Sequence, residues 1–164
     1  MSVGHQIRRS AVNERELDEF LANSRIKRYL EMAKKIDHEH DIPYLAGYSK
    51  DGKTIFIDRH LPRKLKVAGH DVETEPFLMI HECLEKALIS FFKMRYQEAH
   101  AFATLAEHRA VAKAGIRPPL WEGALKPYIK ADEHEKLVKV PPDLDRTPYA
   151  DSHDRKLLAR LEAA

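Results

Sequence analysis

A histidine and a glutamate stand four positions apart in His81-Glu82-Cys83-Leu84-Glu85, inside the apolar run PFLMIHECLEKALISFF. At ~100° per residue, Phe77, Ile80, Leu84, Leu88 and Phe91 make one helical stripe. His81 and Glu85 lie on its flank beside Phe92, while Glu82 and Lys86 turn toward water. A carboxylate held against a core needs a cation, a proton or several donors. A metal ion bound by His81 and Glu85 together would satisfy both side chains at once.

A second helix follows after a short turn, and short connections make such helices antiparallel neighbours. On it, Tyr96, Ala99, Ala103, Ala106 and Ala110 form a small-residue stripe, with His100, Thr104 and Glu107 along one margin and His108 further out. With the turn centred near Arg95, the level of His81 and Glu85 meets Leu105 to Arg109. Glu107 and His108 then come nearest, and His100 sits about two turns away at ~1.5 Å rise per residue. The chemistry that results is a divalent metal site, most simply zinc, with His81, Glu85 and Glu107 as ligands and a water in the open position. Glu82, beside a ligand and facing the cleft, takes the general-base role. His100 or His108 serves as a fourth ligand, orients the ligands or stabilises an oxyanion.

HECLE resembles the HExxH helix of zincin-type metallopeptidases, with Glu85 where the second ligand histidine belongs. The antiparallel ribbon just upstream and a glutamate on the following helix are also similar to the minimal zincin plan. The resemblance covers about Ile42 to Ala114. It implies a metallohydrolase acting on a peptide or another small amide, an edge strand that holds an extended substrate, Glu82 as base, and His81, Glu85 and Glu107 on the metal.

The elements that position these residues follow from pattern. Asn13 to about Asp37 reads as helix, with a break near Asn23-Ser24. IPYLAGYS and KTIFIDRHL are β-rich runs separated by Lys50-Asp51-Gly52, and Asp-Gly between such runs predicts a hairpin. Thr54, Phe56 and Asp58 share one face of its second strand, and Ile55, Ile57 and Arg59 the other. Arg63 to Glu75 reads as a connecting loop. The site helix starts near Glu75-Pro76 and runs to about Lys93, and its partner spans about Tyr96 to Ala114 with Gly115 as a C-terminal stop. Beyond Gly115, prolines punctuate a C-terminal arm with helices over Ala124 to Leu137 and Ser152 to Leu161. Trp121, Tyr128 and Tyr149 are its anchors, on the chain's own core or on a second subunit of a homo-oligomer.

The 164 residues suit a single domain: N-terminal helices over 1–40, a core over 42–115 and the arm over 116–164. The fold class is α+β and helix-dominated, with one β-hairpin that can gain a third strand, followed by a central antiparallel helical hairpin and the proline-rich arm. An apolar fraction of 43% and a charged fraction of 33% exclude a disordered chain. No run approaches the ~18 apolar residues of a membrane span. The N-terminal stretch has basic residues with no apolar segment behind them, which argues against a secretory signal and for the cytoplasm. The single Cys83 excludes an internal disulfide or a multi-cysteine zinc site. A net charge of +2 from 28 basic and 26 acidic residues, interspersed, argues against nucleic acid as a partner; Arg8-Arg9, Arg25 to Arg28 and Arg63 to Lys66 read as solvated faces.

Three further readings compete. His81 and Glu85 can pair with each other or with His108 in a non-catalytic interaction or regulatory protein, whose polar seam sets helix register. Glu82 and Glu85 form an ExxE pair of the kind used with magnesium by all-helical nucleotide pyrophosphohydrolases, although no second acidic pair follows Glu107. A dinuclear carboxylate centre would need ligands from four helices, which are not visible. His60, His38 and His40 read as solvated side chains.

Overall fold

The computed structural model describes residues 12–164, and the Arg8-Arg9 pair and the N-terminal stretch read above as leaderless fall largely outside them. The fold is mixed α+β and helix-dominated, with seven α-helices and two small sheets among the described residues.

Two short helices open it, α1 (Glu14–Ala22) and α2 (Ser24–Glu31). The expected break falls at Asn23, whose side chain accepts from the Arg25 and Ile26 amides at 3.0 and 3.3 Å and so caps α2. Helix does not continue to Asp37. Lys34 Nζ donates to the Tyr29 and Met32 carbonyls at the end of α2, and Lys35–Asp37 becomes strand β1. The pull is tertiary: β1 pairs in parallel with β3 (Thr54–Ile57), so Ile36 lies beside Ile55.

A 3₁₀ turn over Pro43–Leu45 leads into β2 (Ala46–Tyr48), antiparallel to β3 with Gly47 opposite Phe56. This is the predicted hairpin, and the sheet order is β1-β3-β2. Gly52 in its turn has φ +72° and accepts the Tyr29 hydroxyl on its carbonyl at 3.1 Å. The face alternation holds, but both faces are covered: Ile55 packs with Tyr48 and Cys83, and Phe56 packs with the arm.

Arg63 to Glu75 is not a loop. It forms a second hairpin, β4 (Lys64–Val67) and β5 (His70–Glu73), turning through Ala68 and Gly69 at φ 49° and 81°. Only Leu65 and Val67 of its strands are buried, with Val72 partly so, and an alanine occupies a left-handed turn position where asparagine is usual, so the local signal is weak.

The helical hairpin matches its predicted bounds closely. Helix α3 (Glu75–Phe92) has Pro76 in its first turn, α4 (Tyr96–Lys113) runs back along it, and Gly115 follows at φ +85°. Ala99 and Ala106 meet Leu84, Ala87 and Leu88 across the seam. Helix α5 begins at Pro118 rather than Ala124 and ends at Asp132, because the proline pair fits a first helical turn. Two short helices, α6 (Thr147–Asp151) and α7 (Arg155–Ala163), complete the arm.

The arm wraps its own chain. Trp121 is fully buried and meets Phe77 edge to face at 5.1 Å. Leu144, Tyr149, Leu157 and Leu161 close over Ile42 and Phe56. Residues 143–145 also run along the outer edge of β2: the Asp145 amide donates to the Tyr48 carbonyl at 2.9 Å, and the Lys50 amide donates to the Asp143 carbonyl at 2.8 Å. No helix among the described residues is long and apolar enough to cross a membrane.

Leu144 has no exposed surface and joins arm to sheet. Leu144→Ala is expected to destabilise the chain by about 2–5 kcal/mol. Urea unfolding followed by tryptophan fluorescence measures this; a loss below ~0.5 kcal/mol would mean that the arm contributes little to the core.

Candidate metal centre

The i, i+4 spacing on α3 sets His81 and Glu85 on one side, and α4 brings His100 and Glu107 against them. Three ligand atoms converge. His81 Nε2 lies 3.2 Å from Glu85 Oε2 and 3.1 Å from His100 Nδ1, and His100 Nδ1 lies 3.1 Å from Glu85 Oε2. The other atoms of the same groups are held from behind. His81 Nδ1 is 2.8 Å from Glu107 Oε1, Trp121 Nε1 donates to Glu107 Oε2 at 2.6 Å, and the Tyr48 hydroxyl donates to Glu85 Oε1 at 2.9 Å.

Hydrogen bonding accounts for only part of this triangle. Two N–H groups can converge on Glu85 Oε2, but the two nitrogens then face each other at 3.1 Å with no proton shared between them. A cation in place of those protons would satisfy all three atoms. Tetrahedral ligands on bonds of ~2.0–2.1 Å stand about 3.3 Å apart, close to the observed edges. The donor set of two imidazoles and one carboxylate suits zinc and its first-row neighbours. With a cation bound, Glu107 on the far ring nitrogen would hold His81 in the tautomer whose lone pair faces the triangle, as a carboxylate behind a metal-ligating histidine does.

Among the side chains alone, the charge that a cation would bring is carried by a proton on His81. Burial alone would drive His81 neutral, but its hydrogen bonds to Glu107 and Glu85 and the charge of Glu82 outweigh burial and hold its pKa well above the ordinary value. For Glu85 burial acts upward, and the hydrogen bonds from His100 and His81 overcome it and take the carboxyl down to about 2. Glu107 is likewise lowered, by His81 and Trp121 against its burial. Glu82 is the exception. It is 7% exposed, lies against Glu85, and accepts no hydrogen bond from the described residues, so burial and like charge push its pKa well up.

Glu82 therefore does not point to water. It lines a pocket of about 570 Å³ together with the triangle, Tyr44, Tyr96 and Tyr149. Lys86 is also covered, paired with Asp145 at 2.7 Å. His100, placed two turns away by the simple register, reaches the triangle because its ring leans down from the start of α4, with the Tyr96 hydroxyl 3.3 Å from its Nδ1. Glu107, read as a ligand, stands behind His81 instead. His108 turns outward to Glu122 at 2.7 Å. The three histidines read as solvated are paired: His38 with Glu75, His40 with Asp37, and His60 among Asp41, Asp58 and Glu135.

The pattern gives Tyr48 only a place in a β-rich run and Trp121 only an anchoring role, yet a buried phenol or indole needs a partner for its polar atom, and here both partners belong to the site. Tyr44 and Leu45 hold φ of 59° and 69° at the pocket wall, and left-handed backbone at non-glycine residues is strain often kept at functional sites. Comparison of the chain with protein-family models, curated proteins and solved structures finds no match.

Trp121→Phe keeps the ring and removes the donor to buried Glu107. The expected cost is about 1–3 kcal/mol in urea unfolding. A change within experimental error would show that the indole N–H does not hold this carboxylate.

Proposed function

We propose that this chain is a metal-dependent hydrolase of small amide or peptide substrates, with His81, Glu85 and His100 as the metal-holding groups and Glu82 as the general base. The observation that carries the reading is the 3.1–3.2 Å triangle of two imidazole nitrogens and one carboxylate oxygen at the floor of a pocket. A divalent cation held there, most simply zinc, would supply Lewis acidity toward a carbonyl oxygen and toward water.

The remaining roles belong to the chain. Glu107 and Trp121 hold His81 in one tautomer and orientation, and Tyr48 holds Glu85. Glu82 lines the same pocket with a carboxyl that has no hydrogen-bond partner among the described residues, placed to accept a proton from water and return it to a leaving amine. The edge of β2 over Tyr48 to Lys50 is taken by residues 143–145, which favours a small amide or the end of a peptide over a long extended chain along that edge. A pocket of about 570 Å³ suits such a ligand.

The same Trp121–Glu107–His81 chain supports a second reading, a non-catalytic interaction or regulatory protein whose buried polar seam fixes helix register. Metal analysis separates the two. The protein purified without added metal is expected to carry about one divalent ion per chain by mass spectrometry, most of it lost in His81→Ala and His100→Ala and kept in His108→Ala. Glu82→Gln is expected to keep the ion and to lower hydrolysis of a small-amide library by ~10²–10⁴-fold. Metal-free protein that also fails to take up zinc would end the hydrolase reading in favour of the seam.

A further inference from the structure

A second group of acids sits at the other end of the 3₁₀ turn. Asp58 closes β3, Asp132 ends α5, and Glu135 lies in the turn that follows. One carboxylate oxygen from each lies within 4.8 Å of the other two. Asp58 and Asp132 are buried, at 1% and 6% exposure.

The charges are not balanced from within. Asp41, next to them, is matched by Arg59 at 2.7 Å and by the Val138 and Lys139 amides. Asp58 uses both oxygens on backbone amides, those of Ile42 and His60. Asp132 Oδ2 accepts from the Leu45 amide at 3.3 Å, but Asp132 Oδ1 is fully buried and has no hydrogen-bond partner among the described residues. His60 is the imidazole shared by Asp58 and Glu135, at 3.5 and 3.0 Å, and its side chain is half exposed. Three carboxylates against one histidine leave excess negative charge and an orphaned buried oxygen, which burial does not tolerate without a cation or a proton.

We propose that Asp58, Asp132 and Glu135 form a second cation site, separate from the His81 centre, for a hard oxygen-seeking divalent ion of the calcium class. Its donors are all carboxylate oxygens with no nitrogen lone pair required, the preference of calcium rather than zinc.

The site would lock the wall of the reaction pocket. The Leu45 amide donates to Asp132, the Leu45 carbonyl accepts from the Asp58 amide at 2.8 Å, and the Ile42 amide donates to Asp58. These bonds clamp the left-handed Tyr44-Leu45 step, and both of those residues line the pocket. A cation bridging Asp58 and Asp132 fixes the two ends of that clamp.

The test uses the full chain stripped with EDTA, reloaded with one equivalent of zinc, and titrated with calcium chloride. At calcium ~100-fold above its dissociation constant, the thermal midpoint is expected to rise by about 5–10 °C, with one calcium bound by calorimetry. Asp132→Asn and Glu135→Gln are expected to lose that rise and keep their zinc, whereas His81→Ala is expected to keep the rise and lose its zinc. The proposal is overturned if millimolar calcium leaves the midpoint of the unsubstituted chain unmoved, or raises Asp132→Asn equally. It is also overturned if Asp132→Asn is as stable as the parent and calcium is inert, because Asp132 then simply carries a proton.

Discussion

The pairing of a buried histidine with two buried carboxylates is the constraint around which this chain is arranged. His81 sits between Glu107 on one ring nitrogen and Glu85 on the other, with all three nearly sealed from water. Such a group is costly to desolvate and is stable only when every polar atom has an assigned partner. Three separate elements supply those partners: β2 through Tyr48, α4 through His100 and Glu107, and α5 through Trp121. The site and the fold therefore depend on each other, since the arm cannot leave without taking the donor from Glu107 Oε2.

The same constraint explains why the pocket is acidic and yet ordered. Glu82, Glu85 and Glu107 lie close together, and their mutual repulsion in a poorly solvated site would separate them unless positive charge stood between. Glu85 and Glu107 share His81, and Glu82 is the carboxyl left without a donor. Two carboxylates are fixed by hydrogen bonds and lowered in pKa, and one is raised and left facing the pocket.

The C-terminal arm has more than one effect on the site. Trp121 reaches in to steady Glu107, Asp145 neutralises Lys86 beside Tyr48, and residues 143–145 occupy the edge of β2. An edge strand left open would offer its amides to any extended chain. Here the Tyr48 to Lys50 end of that edge is paired internally, and the triangle lies in a pocket lined by Tyr44, Tyr48, Tyr96 and Tyr149.

Local pattern was enough for the elements with strong periodicity. The α3 and α4 bounds, the Asn23 break and the Asp51-Gly52 hairpin follow from apolar spacing, caps and turn residues, because each depends on neighbours within a few positions. The candidate site was legible as far as His81, Glu85 and their buried setting. Three things needed the tertiary structure. Lys35–Asp37 became a strand because β3 offered an unpaired edge, and the β4-β5 ribbon formed because Leu65 and Val67 found a core to cover them. Glu82 shares its pocket with Tyr149 and other residues of an arm that begins some 35 residues later, which no helical wheel of α3 registers. The exchange of roles between Glu107 and His100 depends on ring and carboxylate rotamers, which differ by more than one helical rise. Residue spacing along α3 and α4 determined which side chains could meet, and the packing of arm against hairpin decided which atom of each one faces the shared point.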